Sequence, residues 1–416
     1  MNILIVHRIA YEKIRYHLGI DHQLHDVVYV GTEEKLKTVP TDIRCTRLVR
    51  EDRGDDICGA VLAALEGTHW TFDRIISLSE YELLEAAKLR DRLGVPGMSY
   101  EETCLVRDKM AMKKVVSDAG IAAPRFVGAP QAVRDGADAL PWRGKTVLKP
   151  TRGAASEDVL IFDTSAACVD ALVRHATGAA SLDREDRNLE VFEVEEFVEG
   201  PIVHIDGLVG DGQVLAAIGS RYINNCQQFA KNRPLGSAQF ELSDDVRAWV
   251  NRTIEAVRIR AGAFHLEAIE SERGLVFLEI ANRTGGAGVM DATSLTWGAN
   301  FQALELQLLV DGRLEHDFAQ DNRPLYHGWY VFPGHEYKQG HWAGHDGLER
   351  FRSDGRVVTW FERAHSATFE NTPDYTLKAA PLAGIVSGER PEQVRDFMVE
   401  LFGAVEWRQT PPASAH

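Results

Sequence analysis

The sequence predicts a mixed fold: a parallel α/β unit at the amino end, then a larger α+β body. Three observations carry that expectation. The first hundred residues alternate apolar runs with amphipathic stretches, the order of a parallel sheet with crossover helices. Beyond about residue 145 the apolar runs come in pairs joined by glycine-containing loops or turns, as antiparallel hairpins do. The 416 residues give room for two to three domains, each with a core of its own.

The elements follow in order. "NILIV" (2–6) is a continuous apolar run and reads as a buried strand, not a signal peptide, because no basic segment precedes it and no cleavage site follows. "DVVYV" (26–30) is a second strand and "FDRIISLS" (72–79) a third. "DDICGAVLAALEG" has helical spacing, and "EYELLEAAKLRDRLG" is an amphipathic helix stopped by Gly94 and Pro96. "YEETCLVRDKMAMKKVVSDAGI" is one helix or two, closed by Gly120 and Pro124. "KTVLKP" and "VLIFD" are strands around the loop "TRGAASED", followed by a helix near residues 166–175. "LEVFEVEEFVEG" alternates in part and stops at Gly200-Pro201. Residues 202–222 read as a hairpin turning at Gly210-Asp211-Gly212. "DDVRAWVNRTIEAVRI" is a helix opened by an Asp cap. "GAFHLEAIESERGLVFLEI" is again two strands, around Glu272-Arg273-Gly274. "YHGWYVF", "RVVTWFER" and a helix over 391–402 close the chain. The expected domains are 1–100, 101–310 and 311–416.

Composition excludes some functions. A net charge of −16 argues against nucleic acid or an anionic membrane as a general partner. No apolar run reaches membrane-spanning length. Five cysteines without a CxxC pair suit a reducing compartment, so a cytoplasmic protein is expected.

Several stretches carry chemistry. Lys149 ends an apolar strand and precedes a loop of small residues, whose backbone N–H groups can cradle a phosphate. Lys109 lies on a helix, where a lone lysine is ordinarily solvated. "ALPWRGKT" imitates a Walker loop, but its first glycine is Ala139 and it leads into a strand rather than a helix. Glu195, Glu196, Phe197 and Val198 follow that small-residue loop. Read alone they are a charged edge strand; in this position their backbone can meet an adenine ring. Glu267 and Glu279 fall on neighbouring strands, where they can project to one side and share a divalent cation. "FLEIANRTGG" then places Arg283 at a strand end before Gly285 and Gly286.

In this order, Lys109, Lys149, Glu195–Val198, Glu267, Glu279 and Arg283 resemble the ATP-grasp ligases over residues 1–310. Glu-Ile-Ala-x-Arg followed by a glycine pair is most similar to the carboxylate–amine ligases of the L-amino acid ligase type. The resemblance implies an ATP-grasp fold, with a parallel amino-terminal domain, a central nucleotide-binding core and a carboxyl-terminal α+β region. It implies ATP and Mg²⁺ (or Mn²⁺) as cofactors, with Glu267 and Glu279 as metal ligands. Asn282 is a third metal candidate, one residue displaced from the family's Glu-x-Asn. ATP contacts fall to Lys109, Lys149, Ser156 and Glu195–Val198, with His204 or Asp206 in place of a ribose carboxylate, because Ile202 occupies that position. Thr151–Ser156 is the expected lid, with Arg152 closing on the phosphates. Arg283 and Lys149 are the expected catalytic cations. Arg221, Tyr222, Gly285, Gly286 and Ala287 are expected to meet the small-molecule substrates, an amino acid carboxylate and an amine. A homodimer is left open.

Rival readings are a carrier-protein thiol as acceptor, a catalytically dead ATP-grasp protein, and a metal hydrolase on His335, Glu336, His341 and His345 in "HEYKQGHWAGH". Gly340 and Gly344 spoil the helix the hydrolase needs.

Overall fold

The computed structural model describes residues 1–153, 158–318, 325–335, 342–364, 367, 369 and 372–409. The first sheet is parallel: β1 (Asn2–Val6), β2 (Asp26–Gly31), β3 (Thr46–Val49) and β4 (Arg74–Ile76), in the order β3-β2-β1-β4. Strand β3 was not expected; its alternating half-exposed residues mark a short sheet edge. Both faces of this sheet are covered, as a parallel sheet requires. Helices Ile57–Leu65 and Leu83–Leu93 pack Val61, Ala86 and Leu89 on one face. Leu306 and Val310, from the distant helix Phe301–Asp311, reach the other.

A second sheet contains β5 (Phe126–Gly128), β6 (Thr146–Pro150), β7 (Leu160–Phe162) and β8 (Phe192–Glu196), ordered β5-β8-β6-β7. The third begins with β9 (Ile202–Gly210), β10 (Gln213–Ile223), β11 (Leu235–Phe240), β12 (Gly262–Ser271), β13 (Gly274–Ala281) and β14 (Tyr326–Val331). β15 (Trp342–Asp346) lies outside it, while β16 (Val357–Glu362) and β17 (Leu382–Gly388) complete it. The third sheet is eight-stranded and antiparallel, ordered β13-β12-β9-β10-β11-β14-β17-β16, so it continues across residue 310. β15 pairs with β18 (Glu406–Gln409).

The helix Phe301–Asp311 is buried almost all round, the pattern of a helix enclosed between layers. Its Leu304 and Leu308 pack on Leu208 and Ala263 of the third sheet, and Leu306 and Val310 on the first. One helix therefore fixes the parallel sheet against the large one. Helix Asp244–Ala256 packs Trp249, Val250 and Ile254 under β9 and β12. Its cap is Ser243, whose hydroxyl accepts from the Val246 N–H, rather than the Asp expected. Among the described residues no helix is long and apolar enough to cross a membrane.

Leu306→Ala should lower stability by about 2–5 kcal/mol, the range for truncating a buried leucine. The midpoint of urea unfolding, followed by circular dichroism, measures this; an unchanged midpoint would mean this helix does not brace the first sheet.

Candidate active site

The site starts from the β12–β13 hairpin. Its register pairs Glu267 with Glu279, so both carboxylates leave the same face. Leu278 is the extra residue of a bulge that follows at once, since Ala268 pairs with Phe277. Glu267, Leu278 and Glu279 all line one cleft between the second and third sheets. The cleft together with the open solvent at its mouth spans ≈ 1120 Å³. Part of its wall is apolar: Val147, Val159, Ile161, Phe197, Val198, Ile202 and Ile269. Lys109, Lys149, Tyr222, Glu267 and Glu279 give it a charged and polar part, where Lys109 meets Glu279 and Tyr222 meets Glu267.

The lysines are set by their elements. Lys109 opens the helix Lys109–Asp118, capped by Asp108. Its Nζ lies 3.0 Å from Glu279 Oε2 and donates to the Gly153 carbonyl at 2.8 Å. Lys149, buried on β6, lies 2.6 Å from Glu195 Oε1 and 3.8 Å from Glu193 Oε1. The fully buried Lys113 donates to the same two glutamates, at 2.8 Å to Glu193. Burial alone would pull the Lys149 ammonium down, but Glu195 and Glu193 outweigh it and hold the group protonated. Burial would likewise raise the Glu279 carboxyl; Lys109 and Lys149 outweigh it and bring it down to about 2.

A smaller cavity adjoins the charged part, lined by Glu80, Arg107, Lys109, His265, Glu279 and Arg283 among others. Glu80 lies just past β4, at the carboxyl end of the first sheet and beside the switch between β1 and β4, where open parallel sheets bind ligands. It pairs with both Arg107 and Arg283. A sequence argument that pairs Arg283 with nearby Glu279 misses this partner 203 positions away.

Of the residues singled out by sequence, Lys109, Lys149, Glu195, Glu196, Phe197, Val198, Tyr222, Glu267 and Glu279 line the cleft, and Arg283 the adjoining cavity. Ser156 lies outside the described residues, as do Glu336 and His341. Arg152 pairs with Asp108, and its carbonyl accepts from Arg107.

Other placements need correction. β8 is a central strand, paired on both sides, not an edge. The Glu196 and Phe197 N–H groups already donate to the Arg125 and Lys145 carbonyls, so Val198 is the residue beyond the ladder. The Glu195 and Glu196 side chains are committed to Lys113 and Lys149 and to Arg125 and Arg273. His204 does not face a ribose: it is fully buried between Asp206 at 2.5 Å and Ser237 at 2.7 Å. Asp206 is as deeply buried beside it. Asn282, a candidate metal ligand by sequence, instead donates to the Ala263 carbonyl at 2.7 Å. Arg221 points to the opposite sheet face from Tyr222 and grips Glu270 at 2.6 Å, because strand neighbours alternate.

The small-residue run also divides. A Cβ on Gly286 would meet nothing, so this residue borders open space. A Cβ on Gly285 would stand 2.8 Å from Asp206 Oδ1 and His265 Nδ1, and one on Gly288 would stand 2.4 Å from Trp329 Cβ. Both glycines serve internal packing. Ala287 adopts φ +52° and packs beside Trp329 and Val289.

Comparisons with known proteins agree with this geometry. Residues 143–291 match the family model described as an ATP-grasp domain. A curated relative, the L-arginine-specific L-amino acid ligase of Bacillus subtilis, is 26% identical over 231 residues. That match covers 52% of this chain and 53% of the relative, so the chain spans about half the length of the curated relative it matches. The solved L-amino acid ligase of Bacillus licheniformis is similar in fold over 99% of both chains, with TM-score 0.70 and 19% identity. The N5-carboxyaminoimidazole synthetase of Staphylococcus aureus, solved with ADP, is similar over 96% of both chains, with TM-score 0.63 and 14% identity. Residues 143–291 therefore match an ATP-grasp domain, and the cleft that this segment helps to form gathers Lys109, Lys149, Glu267 and Glu279.

Proposed function

We propose that this protein is an ATP-dependent carboxylate–amine ligase. It phosphorylates an amino acid carboxylate and joins the resulting acyl phosphate to an amine, releasing ADP and phosphate. The observation that carries the reading is Glu267 facing Glu279 in the cleft's charged part, with Lys109, Lys149 and Arg283 around them. The similarity to L-amino acid ligases favours an amino acid as the acid component.

The donor set fits a hard divalent cation. Glu279 is held ionised, and among the described residues Glu267 has the Tyr222 hydroxyl at 2.9 Å and His265 at 3.5 Å against it. Mg²⁺ or Mn²⁺ takes one or two such carboxylates and fills its shell with water and phosphate oxygens. When bound, the cation would neutralise charge on the transferring phosphoryl group.

The chain's own residues do the remainder. Apolar walls seat the base, with Val198 offering backbone at its edge. Lys149, pinned by Glu195, presents its ammonium toward the phosphates without searching rotamers. Lys109 exchanges the Gly153 carbonyl for a phosphate oxygen. A substrate carboxylate oxygen attacks the γ-phosphorus, the bond to ADP breaks, and Arg283 with Arg107 receives the charge on the acyl phosphate. The amine nitrogen then attacks the acyl carbon, phosphate leaves, and the nitrogen loses a proton. Gly286 leaves room for this approach.

The direct test is ADP release across a panel of amino acid pairs, with hydroxylamine replacing the amine. Hydroxamate formed from one amino acid with ATP supports the reading; ADP release indifferent to any carboxylate would leave an ATPase.

Glu279→Gln removes one charge at nearly constant volume. ADP formation should fall at least about a hundredfold, as for loss of one oriented electrostatic group, with the melting temperature little changed. Turnover at the wild-type rate in saturating Mg²⁺ would remove Glu279 from the metal site. Arg283→Lys should be nearly as damaging as Arg283→Ala, because a planar fork holds two oxygens in fixed geometry and an ammonium does not. Steady-state kcat/KM for the amino acid decides it; near-normal activity in the lysine variant would reduce Arg283 to a bulk charge.

A further inference from the structure

Behind the cleft runs a line of polar contacts whose inner members, Ser237, His204 and Asp206, the reaction above does not use. It crosses four strands: Ser237 on β11, His204 and Asp206 on β9, His265 and Glu267 on β12, and Tyr222 on β10. Asp206 accepts from His204 Nδ1 at 2.5 Å and from His265 Nδ1 at 2.8 Å. The far nitrogen of His204 meets Ser237 Oγ at 2.7 Å. The far nitrogen of His265 lies 3.5 Å from Glu267 Oε1, the same oxygen that accepts from Tyr222. Asp206 therefore stands one link behind a cleft carboxylate.

His204, Asp206 and His265 bring three potential ligand atoms within 4.8 Å of one another. Their geometry is that of a bracket rather than a metal cage. Both Nδ1 atoms are spent on the Asp206 carboxylate, and the two Nε2 atoms diverge to Ser237 and Glu267, so no lone pairs converge on a common point. One ring nitrogen of His265 faces Asp206 at 2.8 Å and the other faces Glu267 at 3.5 Å, so the ring bridges the two carboxylates.

The same bracket touches the substrate-side turn. Gly285 packs so close that a Cβ would stand 2.8 Å from both Asp206 Oδ1 and His265 Nδ1. The turn carrying Arg283 and Gly286 rests on this pair.

We propose that Asp206 is a positioning residue: through His265 it fixes the orientation of the Glu267 carboxylate, and through its contact with Gly285 it fixes the turn that carries Arg283. An asparagine has one acceptor oxygen for two imidazole donors and cannot replace it. The inference rests on the reading of Glu267 as a metal-facing carboxylate, and its test separates the two.

Mn²⁺ is titrated by calorimetry into wild type and Asp206→Asn, each saturated with a non-hydrolysable ATP analogue. The variant should bind Mn²⁺ about 10–100-fold more weakly, the usual effect of losing a residue that orients a ligand. Binding of the analogue in EDTA should stay within about twofold, which a merely misfolded cleft would not give. His265→Gln cuts the same link and should show the same split, and it serves if Asp206→Asn does not fold. A folded variant with wild-type Mn²⁺ affinity overturns the positioning role alone. Absence of Mn²⁺ binding in wild type overturns the metal reading of Glu267 and the inference with it.

Discussion

Nearly every charge in this cleft is withdrawn from water, so each must be answered by another charge nearby. That constraint arranges the rest. A buried ion costs several kcal/mol unless it is paired and hydrogen-bonded. Lys113 and Lys149 answer Glu193 and Glu195; Lys109 answers Glu279; Arg107 and Arg283 share Glu80; His265 joins Asp206 to Glu267. The pairs lie between different strands and helices, so the electrostatics of the site and the docking of its sheets are one problem. Lys113 makes this clearest. It does not line the cleft itself but pairs with Glu195, which does, and without it two buried carboxylates would compete for Lys149.

The large antiparallel sheet supplies the precision. Register across β12 and β13 sets Glu267 against Glu279, and the bulge at Leu278 turns the strand into the cleft immediately beside them. Neighbouring strands β9 and β10 bring Asp206, His204 and Tyr222 beneath and beside the pair. Sites built on paired strands hold side chains more closely than sites on loops. The helix Phe301–Asp311 then ties this sheet to the parallel one, which keeps Glu80 within reach of Arg283.

Much of this was legible in the sequence because it is local. Apolar runs and glycine turns gave the β9–β10 and β12–β13 hairpins, and an apolar strand ending in Lys149 before a small-residue loop pointed to the phosphate end. What was not legible depends on long-range pairing. Glu80 sits in an unremarked "SEYE", and only the third dimension brings it to Arg283. Whether Glu195–Val198 forms an edge or a centre depends on β5, which is three residues long. Gly285 looked like space for a substrate because a sequence does not show that Asp206 and His265 fill it. Arg221 failed for the reason that strand neighbours face opposite ways, and a shift of one position moves a side chain to the other face. The helix Phe301–Asp311 carries almost no one-sided apolar stripe, since both its sides are buried, and periodicity overlooks such an element.

The claim that a substrate carboxylate is phosphorylated in this cleft is tested most directly by isotope transfer. The amino acid that supports ADP release is supplied with ¹⁸O in its carboxylate, and the released phosphate is examined by mass spectrometry after a single turnover with the amine. An acyl phosphate intermediate carries one labelled oxygen from the carboxylate into the phosphate. Phosphate without label, with both labelled oxygens recovered on the carbon skeleton, would contradict the account.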